Sequence, residues 1–239
     1  MIELPSFDLQ TMYDAETNFN LLMTPERLSK FLIHYEAMKS INNVPGAIVE
    51  CGVFKGTSLM RFAKLREILG GRFSRKIIAF DVFNDEFPTT EYEADHSQRD
   101  YWISTAGGSS ISTNQIDELF AYFKIDNYDL VAGDATQTIP KYVDQHLGLK
   151  IALLNIDIDF VEPTYAAMKH LYHRVMPGGV ILLDNYGGEG SSGLSYHGDT
   201  IGIDRFINEC QEPIQICQFQ FAARPCFIRK ALFEAKVSD

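Results

Sequence analysis

The chain is predicted to fold as a single α/β domain built on a doubly wound, mostly parallel seven-stranded sheet that ends in an antiparallel hairpin. Three observations carry this. Short apolar runs alternate with segments of helical periodicity, which gives parallel strands buried on both faces and joined by crossover helices. The 239 residues, 46% hydrophobic and 22% charged, are enough to bury one full core of this kind. Two strand-like runs, Ile214 to Phe221 and Cys226 to Lys230, flank the turn-like Ala-Ala-Arg-Pro, a pattern suited to a closing hairpin.

Residues 1–45 read as a helical cap. Within it, Thr24-Pro25-Glu26 supplies an N-cap, a first-turn proline and a first-turn acid, and Leu28, Phe31, Leu32, Tyr35 and Met38 form one stripe. The five parallel strands are read at Ala47 to Cys51, Lys76 to Asp81, Tyr128 to Ala132, Ile151 to Asp157 and Gly179 to Asp184. Helices are read at Thr57 to Leu69, Thr113 to Phe123, Pro140 to Leu147, Pro163 to Val175 and Asp199 to Cys210. Alternation of this kind implies right-handed crossovers and a ligand outside the carboxyl ends of the strands. Two connections are too long to be turns: 83–112, acidic and aromatic, and 187–198, rich in Gly and Ser. Both are expected to act as lid or substrate loops.

Composition removes several function classes. With 21 basic against 32 acidic side chains, the net charge is −11, and there is no Lys/Arg run. Such a surface opposes a phosphate backbone, so no nucleic acid is expected as a partner. No membrane span is expected, because no stretch reaches 18 apolar residues. The N-terminal MIELPSFDLQ has no secretory pattern, which gives a cytoplasmic expectation. Cys51, Cys210, Cys217 and Cys226 form no CxxC pair and read as free thiols.

The chemistry is expected at the strand ends. The first strand runs into Glu50-Cys51-Gly52-Val53-Phe54-Lys55-Gly56-Thr57-Ser58, an acid and two glycines leading into a helix. The middle glycine of a dinucleotide fingerprint is missing, which disfavours a nicotinamide oxidoreductase, and Lys55 precedes the second glycine, so no Walker loop fits. The loop resembles the first motif of class I S-adenosylmethionine-dependent methyltransferases, whose fold is Rossmann-like. The resemblance implies that Glu50, Gly52, Gly56, Thr57 and Ser58 bind the cofactor. Asp81, at the end of KIIAFD, then stands where an acid accepts hydrogen bonds from a ribose diol. Gly133-Asp134-Ala135 resembles the adenine-side motif, with Asp134 and Ala135 at the base. A tight turn and ordinary helix-cap acids are the alternative reading of these positions.

Asn155-Ile156-Asp157-Ile158-Asp159-Phe160-Val161-Glu162-Pro163-Thr164-Tyr165 and Pro177 to Gly187 resemble the macrocin O-methyltransferase family, whose members methylate sugar hydroxyls of antibiotic glycosides and are oligomeric. The likeness runs from about Met23 to Ile207. Asp157 ends the fourth strand and Asp184-Asn185 the fifth, and three oxygen ligands on one rim suit Mg²⁺. The same disposition occurs in catechol-type O-methyltransferases. In the macrocin family the last position is more often a second Asp, so Asn185 departs from the pattern.

The alternative reading makes Asp157 or Asp159 the cap of the helix that opens at Pro163. Otherwise Asp157 binds and orients, while Asp159 or His197, the latter in the Gly/Ser-rich loop, takes the acceptor's proton. These residues together imply a metal-assisted O-methyltransferase acting on a small-molecule hydroxyl, and the resemblance implies a sugar unit of a natural-product glycoside as acceptor and a homo-oligomer. The rivals are a catechol-like aryl methyltransferase, with Tyr101, Trp102 and Tyr186 as an aromatic slot, and a non-catalytic nucleoside-binding protein.

Overall fold

The structure, a computed structural model, describes residues 1–70, 75–85, 91–106, 108–187, 197–222 and 224–231, with the side chains of residues 98, 102, 105 and 106 excepted. The expected loop positions 86–90, 107 and 188–196 lie outside the described residues.

Seven strands form one sheet in the order β3-β2-β1-β4-β5-β7-β6. They are β1 Ala47–Cys51, β2 Ile77–Asp81, β3 Tyr128–Ala132, β4 Ile151–Ile156, β5 Val175–Leu183, β6 Ile216–Gln218 and β7 Cys226–Arg229. The first five are parallel, and β7 runs antiparallel between β5 and β6. The chain reverses direction across β1 at the β2 and β4 neighbours, which is the switch point where open sheets bind ligands.

Alternate residues of each central strand enter different cores. Ile48, Ile77, Ala79, Leu153 and Leu182 pack with Ile33, Ala37, Phe62 and Phe120 on one face of the sheet. Val49, Cys51, Ile78, Phe80, Leu154, Ile156 and Leu183 pack with Ile139, Met168, Leu171 and Phe206 on the other. Burial on both faces is the reason the strands read as continuous apolar runs rather than alternating ones.

The helices on these faces are α1 Leu9–Leu22, α2 Pro25–Ser40, α3 Thr57–Ile68, α4 Glu93–Ala106, α5 Thr113–Tyr122, α6 Ala135–Gln145, α7 Val161–Leu171 and α8 His197–Glu209. Local caps start several of them: Asp8 accepts from Thr11 N, Thr24 from Arg27 N, and Ser112 and Gln115 form a capping box. Helix α6 begins five residues before the expected Pro140, because Asp134 caps it at Thr136 N and the proline lies within its first two turns.

Two expectations are corrected. The 83–112 connection contains a full helix, α4, and the inward face of α2 is not the one its apolar stripe suggested. Ile33, His34, Ala37 and Met38 are buried, while Leu28, Phe31 and Leu32 are exposed.

Candidate functional site

The loop between β1 and α3 is shaped by close backbone approach. Gly52 has φ +90°, and a Cβ there would stand 1.9 Å from the Asp157 carbonyl oxygen, so the cofactor loop and the end of β4 touch through this one residue. Gly56, with φ +78°, serves as the N-cap position of α3. Phe54 between them is also left-handed, with φ +48°.

Asp81 holds this loop in place. One carboxylate oxygen accepts from Val53 N at 2.6 Å and Phe54 N at 3.0 Å, and the other accepts from Phe83 N at 3.0 Å. A carboxylate offers about four acceptor sites, so one is left for a ribose hydroxyl. Asp134 Oδ1 accepts from the N–H and the hydroxyl of Thr136, each at 2.8 Å, and so caps α6 where it leaves β3.

Glu50 is buried in β1, where Asn155 Nδ2 donates to it at 3.2 Å. Burial pushes its carboxyl up to about 8 against the opposing hydrogen bond from Ser58, so the group is protonated at neutral pH. Thr57 and Ser58 open α3 beside it.

The rim beyond β4 and β5 gathers four carboxylates: Asp157, Asp159, Asp184 and Asp199. Asp159 lies in the left-handed region, with φ +71°, a conformation Asp tolerates better than most residues. Its N–H donates to Asp199 Oδ1 at 3.1 Å, and the Asp199 carboxylate also receives the Thr164 hydroxyl. A Cβ on Gly198 would stand 2.1 Å from the Asp159 carbonyl oxygen, so only glycine lets α8 bring Asp199 this close.

Neither Asp157 nor Asp159 caps the next helix. Phe160 is the N-cap of α7 and makes no side-chain cap bond, while Asp95 of α4 accepts from Val161 N at 2.9 Å. The capping alternative is thereby overturned, and both acids are spared that duty.

Two cationic side chains that the sequence did not single out complete the rim. Lys30 Nζ, on α2, lies 3.1 Å from Asp157 and 2.8 Å from Asp184. Arg224, in the β6–β7 turn, donates to Asn185 Oδ1 at 3.0 Å and pairs with Glu26 at 3.3 Å. Asn185 Nδ2 is turned toward the acids, donating to Asp159, to Asp199 at 3.3 Å and to Asp157 at 3.4 Å.

The electrostatics follow from this crowding. Burial, followed by the Asp184 charge, pushes Asp157 up to about 7, and burial with the Asp199 charge raises Asp159 well above the carboxylate range. Burial pushes Asp199 up to about 6. Burial also acts to raise Asp184, but the Lys30 ammonium outweighs it and holds that carboxyl below its ordinary value. The rim therefore sets Lys30 against Asp184, whose carboxyl is held low, beside Asp157, Asp159 and Asp199, whose carboxyls are all pushed up.

The expected Mg²⁺ trio, Asp157, Asp184 and Asn185, lies together at this rim, with Lys30 among its members. The ammonium stands between the two carboxylates, and the third donor presents N–H rather than oxygen. Among the described residues, no three His, Cys, Asp or Glu side chains are grouped to hold a metal ion.

His197 opens α8 with Nε2 at 3.1 Å from the buried Asp95 carboxylate, and so faces α4 rather than the acid cluster. Of the expected aromatic slot, Tyr186 donates to Asp204 at 2.7 Å and Tyr101 is exposed, while the Trp102 side chain lies outside the described residues. Among the described residues no helix is long and apolar enough to cross a membrane, and none of the four cysteines is joined in a disulfide.

Two of three comparisons with known proteins agree with this architecture. No curated protein sequence matches the chain. Among solved structures, the calicheamicin methyltransferase CalS11 is similar at TM-score 0.68 and 20% identity, covering 93% of this chain and 87% of that one. The O-methyltransferase NovP is similar at TM-score 0.69 and 17% identity over 85% and 80%. TomG, an O-methyltransferase from Streptomyces achromogenes involved in tomaymycin synthesis and solved with S-adenosylmethionine, is similar at TM-score 0.53 and 12% identity over 97% and 92%. At these identities the likeness shows a shared methyltransferase fold. The macrocin-O-methyltransferase (TylF) family model matches residues 17–196, and the chain belongs to that family of enzymes.

Proposed function

We propose that the protein transfers a methyl group from S-adenosylmethionine to a hydroxyl of a small molecule, a sugar unit of a natural-product glycoside or its nucleotide-sugar precursor. The family and CalS11, a calicheamicin methyltransferase also described as a TDP-rhamnose 3'-O-methyltransferase, favour a sugar acceptor.

The carrying observation is that Asp95 caps α7, which leaves Asp157 and Asp159 at the point where β4 meets the cofactor loop through Gly52. The residues present suit the cofactor: two left-handed glycines open a backbone cradle, and Asp81 faces it with acceptor capacity to spare. When bound, S-adenosylmethionine supplies a methyl group already activated on a sulfonium, so the protein has to align an oxygen in line with it and receive one proton. As the O–CH₃ bond forms and the S–CH₃ pair returns to sulfur, the hydroxyl proton passes to the Asp157–Asp159 pair.

Asn185 donates to both acids and so couples them, and burial raises both carboxyls toward the range in which they can take a proton. His197, whose ring faces Asp95 of α4 rather than the acid pair, is not assigned the proton. A metal-assisted form of the reading, with Mg²⁺ on Asp157, Asp184 and Asn185, requires Lys30 to leave and Asn185 to turn over. A catechol-like acceptor is disfavoured by the engagement of Tyr186 with Asp204. The exposed Leu9, Met12, Tyr13, Leu21 and Leu22 of α1 support association with further copies.

The test is Asp159→Asn and Asp157→Asn, measured in parallel. Each should lower kcat by about 10²–10⁴ with cofactor affinity retained, and near-normal kcat in both would remove the acid pair from the reaction.

A further inference from the structure

The cation belonging to this rim is a side chain. Lys30 sits on the face of α2 that continues, one turn on, into buried Ile33 and His34, and its side chain is only 23% exposed. It reaches across to acids 127 and 154 residues away in sequence. We infer that Lys30 takes the bridging position between Asp157 and Asp184 that a divalent ion would otherwise occupy, so that the charge of this pair is offset by Lys30 and the rim binds no metal. The inference rests on the functional reading only for its consequence in turnover; the placement itself stands on the geometry.

Three features point the same way. The ammonium is within hydrogen-bond distance of both carboxylates, and a hard cation in the same gap would clash with it and gain two carboxylates instead of three. Asn185 occupies the position where the family more often carries an acid. Its orientation is fixed from both ends, because turning the amide over would set its oxygen against the acids and its NH₂ against the Arg224 guanidinium. Arg224 in turn bridges Asn185 to Glu26, which lies one turn before Lys30 on α2, so the helix, the hairpin turn and the β5 end are tied into one network. Lys30 is thus a positioning residue that sets the spacing of Asp157 and Asp184 and attaches the N-terminal helix to the acids.

The experiment uses Mn²⁺ as the probe, followed by its paramagnetic resonance signal in the full-length protein without acceptor. Wild-type protein should leave the free Mn²⁺ signal intact at concentrations well above the protein's. Lys30→Ala, in which the carboxylates lose their cation, should bind Mn²⁺ at least about tenfold more tightly, while Lys30→Arg behaves as wild type. Methyl transfer by wild type should persist in excess chelator, and metal-free transfer by Lys30→Ala should fall and be partly restored by Mn²⁺.

Stoichiometric Mn²⁺ binding by wild type overturns the inference, and this holds even if Lys30→Ala fails to fold. Calorimetry with S-adenosylhomocysteine on the same samples separates the two readings. Failure to bind it sinks the proposed function and leaves the Mn²⁺ result to judge Lys30.

Discussion

Gly52 is the residue through which the cofactor loop and the acidic rim meet, and replacing it by alanine isolates that contact. The added Cβ would stand 1.9 Å from the Asp157 carbonyl oxygen and 2.6 Å from its carbon, where Cβ contacts below 3.0 Å essentially do not occur. The strand ends must therefore part by about 1.1 Å, and both neighbours are backbone, so no side chain can swing away. Overpacking of this kind costs about 1–3 kcal/mol. Holding alanine at a left-handed φ adds about 1–2 kcal/mol.

Gly70→Ala is the matched control: its φ is +78° and, among the described residues, nothing lies within 4 Å, so it carries the backbone term alone. Thermal unfolding should show Gly52→Ala lower than Gly70→Ala by about 2–12 °C, using about 2–4 °C per kcal/mol for a chain of this size. Cofactor affinity measured by calorimetry should fall for Gly52→Ala only. Equal melting temperatures and equal affinities in the two variants would refute the claimed contact.

Three further predictions concern protons and helix docking. Glu50 binds a proton more tightly folded, at about 8, than unfolded, at 4.5, so its contribution is full at low pH and is lost as pH rises across that window. The slope is at most about 1.4 kcal/mol per pH unit. Glu50→Gln should flatten the pH dependence of unfolding there, and an unaltered slope in chemical denaturation would remove Glu50 as its source. Asp95→Ala removes a buried carboxylate that serves the α7 amide at Val161 and the His197 ring, and should destabilise the fold by about 1–3 kcal/mol. His197→Gln should leave kcat within about threefold, since its ring faces Asp95 of α4 rather than the acid cluster; a loss of 10²-fold or more would return the proton to His197.

The strands were legible because each buries both faces, so Ile151–Ile156 and Ala47–Cys51 appear as unbroken apolar runs whose ends mark the rim. From those ends, Glu50, Gly52, Asp81, Asp157, Asp159 and Asp184 could be named as one surface. Helix α4 was not legible. Its segment is acidic and weakly periodic, and it is held by Asp95 docking on the α7 N-terminus, a contact that no local pattern announces. The stripe of Leu28, Phe31 and Leu32 misdirected the reading of α2, because these residues face away from the core of this chain.

Lys30 and Arg224 escaped for a related reason. A lone lysine on a surface-patterned helix and a lone arginine in a turn gain meaning only when folding sets them against acids far along the chain. Asp199 was nearer to reach. It follows Gly198, and a glycine directly before an acid at a helix start can mark a close backbone approach, here to Asp159.

The central claim, that this rim moves a methyl group onto oxygen, is tested most directly by incubating the protein with methyl-labelled S-adenosylmethionine and a panel of deoxysugar nucleotides and glycosides. The label is then located in the product by mass spectrometry. The account predicts a labelled methyl ether on a ring hydroxyl, formed in excess chelator and abolished together with the Asp157 and Asp159 carboxylates. Label on nitrogen or carbon, or cofactor that binds at Gly52 to Ser58 and is never turned over with any hydroxyl acceptor, would contradict it.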